Sequence, residues 1–337
     1  MRLTDRASKA SPSNSRSELP CYAPKVTPPP KKYALAGIVI VTAVAIALPL
    51  ALDTERRELD DEARSRAPGT FVHLTQGHVH YELAGPEDGR LVVLVHGFSV
   101  PSFVWDPTFE ELLFRGFRVL RYDLYGRGYS DRPDAAYDRA LYVEQLHELL
   151  AALGVDDPVD LVGLSMGGPV IATFADSYPE SVARLVFVAP FVGPVDAGVV
   201  AIPGLGDYLA AVFLARSLPK RLSDDFYRPE KAPDWEERFR EQMRYRGFRR
   251  ALLRSLRQFM AEDFTATYAA VGSLGKPILL VWGRQDRTVP FVESERIAGP
   301  LGAELFVVEE SGHTPHLESP EVFEPKLVEF LRGGDPP

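Results

Sequence analysis

The spacing of apolar residues changes several times along this chain of 337 residues, and each change predicts a different kind of element. Residues 33–52 form an unbroken run of 20 without a charge, with polar sequence on either side. Over 71–83 apolar and polar positions alternate, the two-residue period of a first strand pair. Short continuous apolar runs follow at 91–95, 159–162, 184–190, 277–283 and 304–309. Runs of that length without a polar face predict parallel strands covered on both sides. Residues 141–153 repeat apolar positions at helical spacing, and 168–178 read as a buried helix. Strands alternating with helices predict an α/β class with a mostly parallel sheet.

The run at 33–52 is long enough to cross a bilayer, since about 20 residues at ~1.5 Å rise match a hydrocarbon core of ~30 Å. Residues 1–32 carry seven Lys or Arg against two acids, a net of +5, which leaves −14 for the remainder of a chain whose total is −9. That asymmetry predicts a cytoplasmic N-terminus and a large domain on the extracytoplasmic side. The leader, with serines at 11, 13, 15 and 17 and prolines at 12, 20, 24 and 28–30, reads as disordered. Residues 53–69, with six acids and four arginines by position 66, read as a polar tether or helical stalk. The small-x-small patterns Ala43-Val44-Ala45 and Ala45-Ile46-Ala47 leave cleavage and secretion as the alternative. The run exceeds the ~7–15 residues of a signal core, and the leader is long, so an uncleaved signal anchor is the better reading. The single cysteine, Cys21, precedes the run, which excludes a lipoprotein anchor and any internal disulfide. Acidity beyond the leader, without a basic face, argues against nucleic acid as a partner.

Between the strands ending at Pro190 and beginning at Pro277 lie 86 residues, more than a crossover needs, and they predict an inserted helical cap over 194–267. Leu205, Tyr208, Leu209, Val212 and Phe213 recur at helical spacing, as do Leu252, Leu253, Leu256 and Met260. These positions either pack the cap on the core or line an apolar pocket. The charged stretch 217–250 is expected to face solvent.

Chemistry enters at Gly163-Leu164-Ser165-Met166-Gly167, directly after the apolar run 159–162. A serine on a sharp strand-to-helix turn projects its hydroxyl into the open, and so tight a turn admits only small residues two positions to either side, here Gly163 and Gly167. The helix that follows aims its N-terminal amides at the serine, where negative charge develops in acyl transfer. Asp286 lies in the loop after the run 277–283, and His313 in the loop after 304–309. Serine, carboxylate and histidine are the set required for nucleophilic catalysis by an activated hydroxyl.

Five segments together resemble the α/β-hydrolase family over about residues 71–331. They are the serine pentapeptide, the strand and His96-Gly97-Phe98, the loop Asp123 to Ser130 of D-x-x-G-x-G-x-S form, Trp282-Gly283-x-x-Asp286, and Gly312-His313-x-Pro315. The order Ser, acid, His is the one this architecture uses. The resemblance implies an eight-stranded, mostly parallel sheet with helices on both faces, a core formed by 70–193 and 268–337, and a helical cap after the sixth strand. It implies Ser165 as nucleophile, His313 as general base, Asp286 as its orienting carboxylate, and the backbone amides of Phe98 and Met166 as the oxyanion hole. His96 and Gly97 support that loop, Asp123 and Arg127 brace it, and neither cofactor nor metal is expected.

Rival residues exist. His316 shares a loop with His313, but Gly312 and the motif favour His313. Asp196 competes with Asp286, although no acid follows Pro190 within five residues. His73, His78 and His80 fall in the first hairpin, and His147 lies on a helix surface. The expected activity is hydrolysis of carboxylic esters, apolar or lipid-derived in view of the membrane segment, in the manner of carboxylesterases and monoacylglycerol lipases. The same three residues also serve carbon–carbon hydrolysis, enol-lactone hydrolysis and perhydrolysis, and a binding protein that keeps the fold without the chemistry is a further alternative.

Overall fold

The computed structural model describes residues 31–224, 226–232 and 234–333. The basic leader at 1–30, with Cys21, lies outside the described residues, as do 334–337. The chain divides into two compact units, up to Ala47 and from Leu48 onward. The helix Lys31–Leu52 begins in the first. Its segment Leu35–Leu52 has a mean hydropathy of 2.6 with none of it buried, and is long and apolar enough to cross a membrane.

The second unit is built on eight strands, β1 (Thr70–Leu74), β2 (Gly77–Ala84), β3 (Leu91–Val95), β4 (Arg118–Tyr122), β5 (Val159–Leu164), β6 (Val182–Val188), β7 (Ile278–Gly283) and β8 (Glu304–Val308). Their order across the sheet is β1-β2-β4-β3-β5-β6-β7-β8. β2 pairs antiparallel with both β1 and β4, and every other pairing is parallel. The central runs lack polar alternation because both faces are covered. Val93, Val95, Leu161, Phe187, Leu280 and Trp282 enter one apolar layer, beneath the helices Arg139–Ala152, Gly167–Ser177, Thr265–Gly272 and Val292–Leu301. Their neighbours Val92, Leu94, Val162, Val188, Leu279 and Val281 enter the other, against Asp106–Phe114 and Pro320–Arg332. Successive side chains of a strand point to opposite faces, so an all-apolar strand is what two covered faces demand.

Between β6 and β7 the chain forms a helical insertion. Its last helix, Thr265–Gly272, packs on the core helices Gly167–Ser177 and Val292–Leu301. Two expectations about the insertion hold only in part, although Val212, Leu252, Leu253 and Met260 are buried as their spacing implies. Leu205 and Phe213 are largely exposed at 48% and 62%, whereas the charged stretch contributes Phe226, Trp235, Phe239, Tyr245 and Phe248 to the interior. The charged neighbours of these aromatic residues face water, and averaging over the segment hides the inward positions. The polar segment after the first helix is no free stalk either. Only Asp61–Ser65 is helical, and Arg57 pairs with Tyr245 of the insertion in a short parallel bridge.

Candidate active site

Ser165 follows the last residue of β5, with φ of 52°, a left-handed conformation that costs a non-glycine residue on the order of 1–3 kcal/mol. Its backbone is held from several sides. The Ser165 amide donates to the Val188 carbonyl at 2.9 Å, and the Ser165 carbonyl accepts from the amides of Gly168 and Phe191 at 2.9 and 3.0 Å. A Cβ on Gly163 would run into the Gly167 carbonyl, and one on Gly167 into the Val95 carbonyl. The helix Gly167–Ser177 begins two residues after Ser165, which sets its N-terminal, positive end at the serine.

Asp286 stands in the loop after β7. Its Oδ1 accepts from the amides of Thr288 and Val289 at 2.8 and 2.9 Å, which turns Oδ2 toward His313 Nδ1 at 2.8 Å. An imidazole donating through Nδ1 keeps Nε2 as its basic nitrogen. His313 and Ser165 line the same cavity of about 110 Å³, together with Gly97 and Phe98 on the core side and Leu222, Phe226 and Trp235 from the insertion. The structure therefore brings together Ser165, His313, Asp286, Phe98 and Met166. It keeps the rivals apart from them. His316 is fully buried, packs at a tilt against Trp105 and donates from Nε2 to the Val104 carbonyl at 3.0 Å, and burial lowers its pKa to about 3. Asp196 is exposed and accepts from the nearby Gly198 amide. His73 and His78 face each other on the β1–β2 hairpin, and His147 stacks on Tyr178 at the surface.

The loop after β3 is braced by a buried polar network. His96 donates from Nδ1 to the Gly97 carbonyl and accepts the Leu124 amide at Nε2, a neutral tautomer, and burial lowers its pKa to about 4. Arg127 donates to the Phe98 carbonyl at 2.7 Å. Asp123 accepts both the amide and hydroxyl of Ser102 at Oδ1, and the Tyr129 amide and His80 Nδ1 at Oδ2. Burial works against charge on both members of the His80–Asp123 pair, yet the partner and the neighbouring groups together outweigh it, raising the His80 pKa and holding the Asp123 carboxyl well below the usual range. A larger cavity of about 250 Å³ beside this pair contains neither Ser165 nor His313.

Two further residues carry no signal in the sequence reading. Glu318 is fully buried, its Oε1 accepting the Gly312 amide and the Thr314 amide and hydroxyl, its Oε2 the amides of Tyr227 and Arg228 from the insertion. It clasps both flanks of His313 to the segment that roofs the cavity. Gln242 donates to the Ser99 carbonyl at 2.8 Å and accepts the Gly128 amide at 3.0 Å, tying the insertion to two core loops. Among the described residues no group of three or more His, Cys, Asp or Glu side chains is arranged to hold a metal.

Comparison with known proteins agrees with this architecture. Residues 92–325 match the model of the alpha/beta hydrolase family. A 2-hydroxymuconate semialdehyde hydrolase of Pseudomonas sp. (strain CF600) is 30% identical over 263 residues, covering 73% of this chain and 88% of the relative. Carboxylesterase YbfK of Bacillus subtilis is 26% identical over 272 residues, covering 78% and 88% respectively. The crystal structure of a hydrolase from Pseudomonas aeruginosa superposes with a TM-score of 0.68 at 27% identity, covering 80% of this chain and 100% of that one. With a serine elbow after the fifth strand, a carboxylate–imidazole pair after the seventh and eighth, and a family match that spans most of its length, the chain belongs to the alpha/beta hydrolase family.

Proposed function

We propose that this chain is a membrane-anchored serine hydrolase that cleaves neutral, apolar carboxylic esters on the extracytoplasmic side of a bilayer. The observation that carries the reading is the cavity shared by Ser165 and His313. Apart from His313 its described lining is uncharged, with Phe98, Val100, Val104, Leu222, Phe226 and Trp235 contributing apolar surface. A carboxylate buried there would meet no fixed cation in that lining, and an unpaired buried charge is costly. A neutral acyl chain fits it. Ser165 Oγ attacks the ester carbonyl as His313 Nε2 takes the hydroxyl proton, Asp286 stabilises the resulting imidazolium, and the amides of Phe98 and Met166 receive the oxyanion. His313 then protonates the departing alkoxide. Water, deprotonated by His313, releases the acid from Ser165. No cofactor or metal enters these steps.

Carbon–carbon hydrolysis is the second reading, favoured by the 30% identity to a 2-hydroxymuconate semialdehyde hydrolase. The full chain in detergent, assayed on p-nitrophenyl esters from acetyl to palmitoyl and on a carboxylate-bearing 1,5-diketone, separates the two. We expect turnover of medium or long acyl esters, reduced roughly 10⁴-fold or more in Ser165→Ala. Ser165-dependent cleavage of the diketone without ester turnover establishes the second reading, and no Ser165-dependent turnover of either overturns both.

A further inference from the structure

The segment between the apolar helix and the sheet is fastened first to the insertion and then to the core. Glu55, only 9% exposed, accepts the amides of Gly247 and Arg249 at 2.9 and 2.5 Å. Arg57 donates its amide to the Arg244 carbonyl and accepts the Arg246 amide, both at 2.9 Å. Asp53 pairs with Arg249 at 3.2 Å, and Arg64 with Asp131. At the far end the Pro68 carbonyl faces His80 Nε2, whose Nδ1 already faces Asp123. Both ring nitrogens address acceptors, an arrangement that favours the doubly donating imidazolium and raises the His80 pKa.

This strap removes the slack that a tether would have. From Leu52, the end of the apolar helix, to the fastened Glu55 is three residues, at most ~10 Å of chain. The interfacial layer of a bilayer is ~5–8 Å thick on each side. An apolar helix in the bilayer therefore holds the surface around residues 51–57 at headgroup depth. That surface is concave, a cavity of about 520 Å³ whose lining combines the apolar Ala51, Leu52 and Met243 with Arg56, Arg57, Arg240 and Arg244. Asp53 is the one carboxylate in the described lining, and it is engaged by Arg249. Glu236 and Glu241 hold Arg240, Arg57 and Arg244 from outside the lining, with the three guanidinium groups still about half exposed. Arg56 donates to the carbonyls of Asp53 and Ala51.

We propose that this cavity binds the phosphate of an anionic phospholipid, with the acyl chains running along Ala51 and Leu52. The proposal rests on the membrane-anchor part of the function above. Guanidinium groups match phosphate oxygens through paired N–H donors, and a headgroup with net negative charge is selected over a zwitterionic one because the lining offers several cations and no free carboxylate. The adjoining apolar surface favours a lipid over a free phosphate ion.

The test uses the full chain reconstituted in nanodiscs of phosphatidylcholine mixed equally with phosphatidylglycerol, and native mass spectrometry of the lipids it retains. Wild type should keep phosphatidylglycerol roughly tenfold over phosphatidylcholine, and Arg56→Gln/Arg240→Gln/Arg244→Gln should keep both alike, with water-soluble ester turnover unchanged. Arg244→Lys, with the charge kept, should retain most of the selectivity and guards against a folding defect in the triple variant. Equal retention of both lipids by wild type overturns the proposal and leaves the anchor intact. Displacement of the lipid by millimolar inorganic phosphate overturns the lipid assignment in favour of a free anion. Failure of the full chain to float with liposomes overturns the anchor reading itself.

Discussion

Glu318 shows how one side chain can join chemistry to architecture. A carboxylate accepts hydrogen bonds only, and each of its oxygens faces donors alone: Gly312 and Thr314 beside His313, Tyr227 and Arg228 in the insertion. In Glu318→Gln one of those oxygens becomes an NH₂ group pointing at N–H donors, whichever way the amide turns. At least two donors then lose their acceptor, at about 2–4 kcal/mol of stability. We expect a lower denaturant midpoint together with a fall in kcat for esters, because the loop that carries His313 loosens against Asp286. A variant with the wild-type midpoint and turnover would show that the clasp has no part in either. Nothing local marks Glu318 for this task, since Tyr227 and Arg228 lie 91 and 90 residues away in sequence.

At the scale of an element, the helix Pro320–Arg332 buries one carboxyl against the helix Asp106–Phe114. Glu324 is 6% exposed and accepts the Thr108 hydroxyl at 2.7 Å. Burial, with the Glu111 charge adding to it, raises its pKa from 4.5 to about 7, against the opposing Thr108 bond. The folded state thus retains a proton that the unfolded chain releases near pH 4.5. Stability falls as pH rises through that interval, with no penalty below about 4.5 and the full penalty, on the order of 3 kcal/mol, above about 7. Glu324→Gln should therefore raise the denaturation midpoint at pH 8 and leave it near wild type at pH 4.5. An equal effect at both values would mean that Glu324 is not protonated in the fold. The helices and strands themselves were readable from periodicity, because both-face burial leaves an all-apolar run and one-face burial an alternating or helical one. Which residues of the insertion's charged stretch face inward was not readable, because Phe226 and Trp235 turn inward from a segment rich in charged residues.

At the scale of the whole molecule, the apolar helix and the enzyme domain are joined by a fastened strap rather than a free linker. Full-length chain expressed in cells should remain with membranes through salt and alkaline washes and show an intact mass near 37.4 kDa, whereas a shorter soluble form would show that the segment is cleaved. The sequence by itself determined what depends on near neighbours: an apolar run long enough for a bilayer, buried strands, a glycine-flanked serine turn, and loops carrying Asp286 and His313 after strand ends. Those features are local because a strand, a tight turn or a membrane helix states its requirements within a few residues. Only the tertiary structure decided which distant groups meet. Folding placed Ser165 and His313 on one cavity, buried His316 beneath Trp105, bridged Ser99 and Gly128 through Gln242, and drew Glu55 onto Gly247 and Arg249. Such contacts follow from how the sheet orders its strands and where the insertion settles, and hydrogen bonds spanning 143 or 192 residues leave no period in the chain to read.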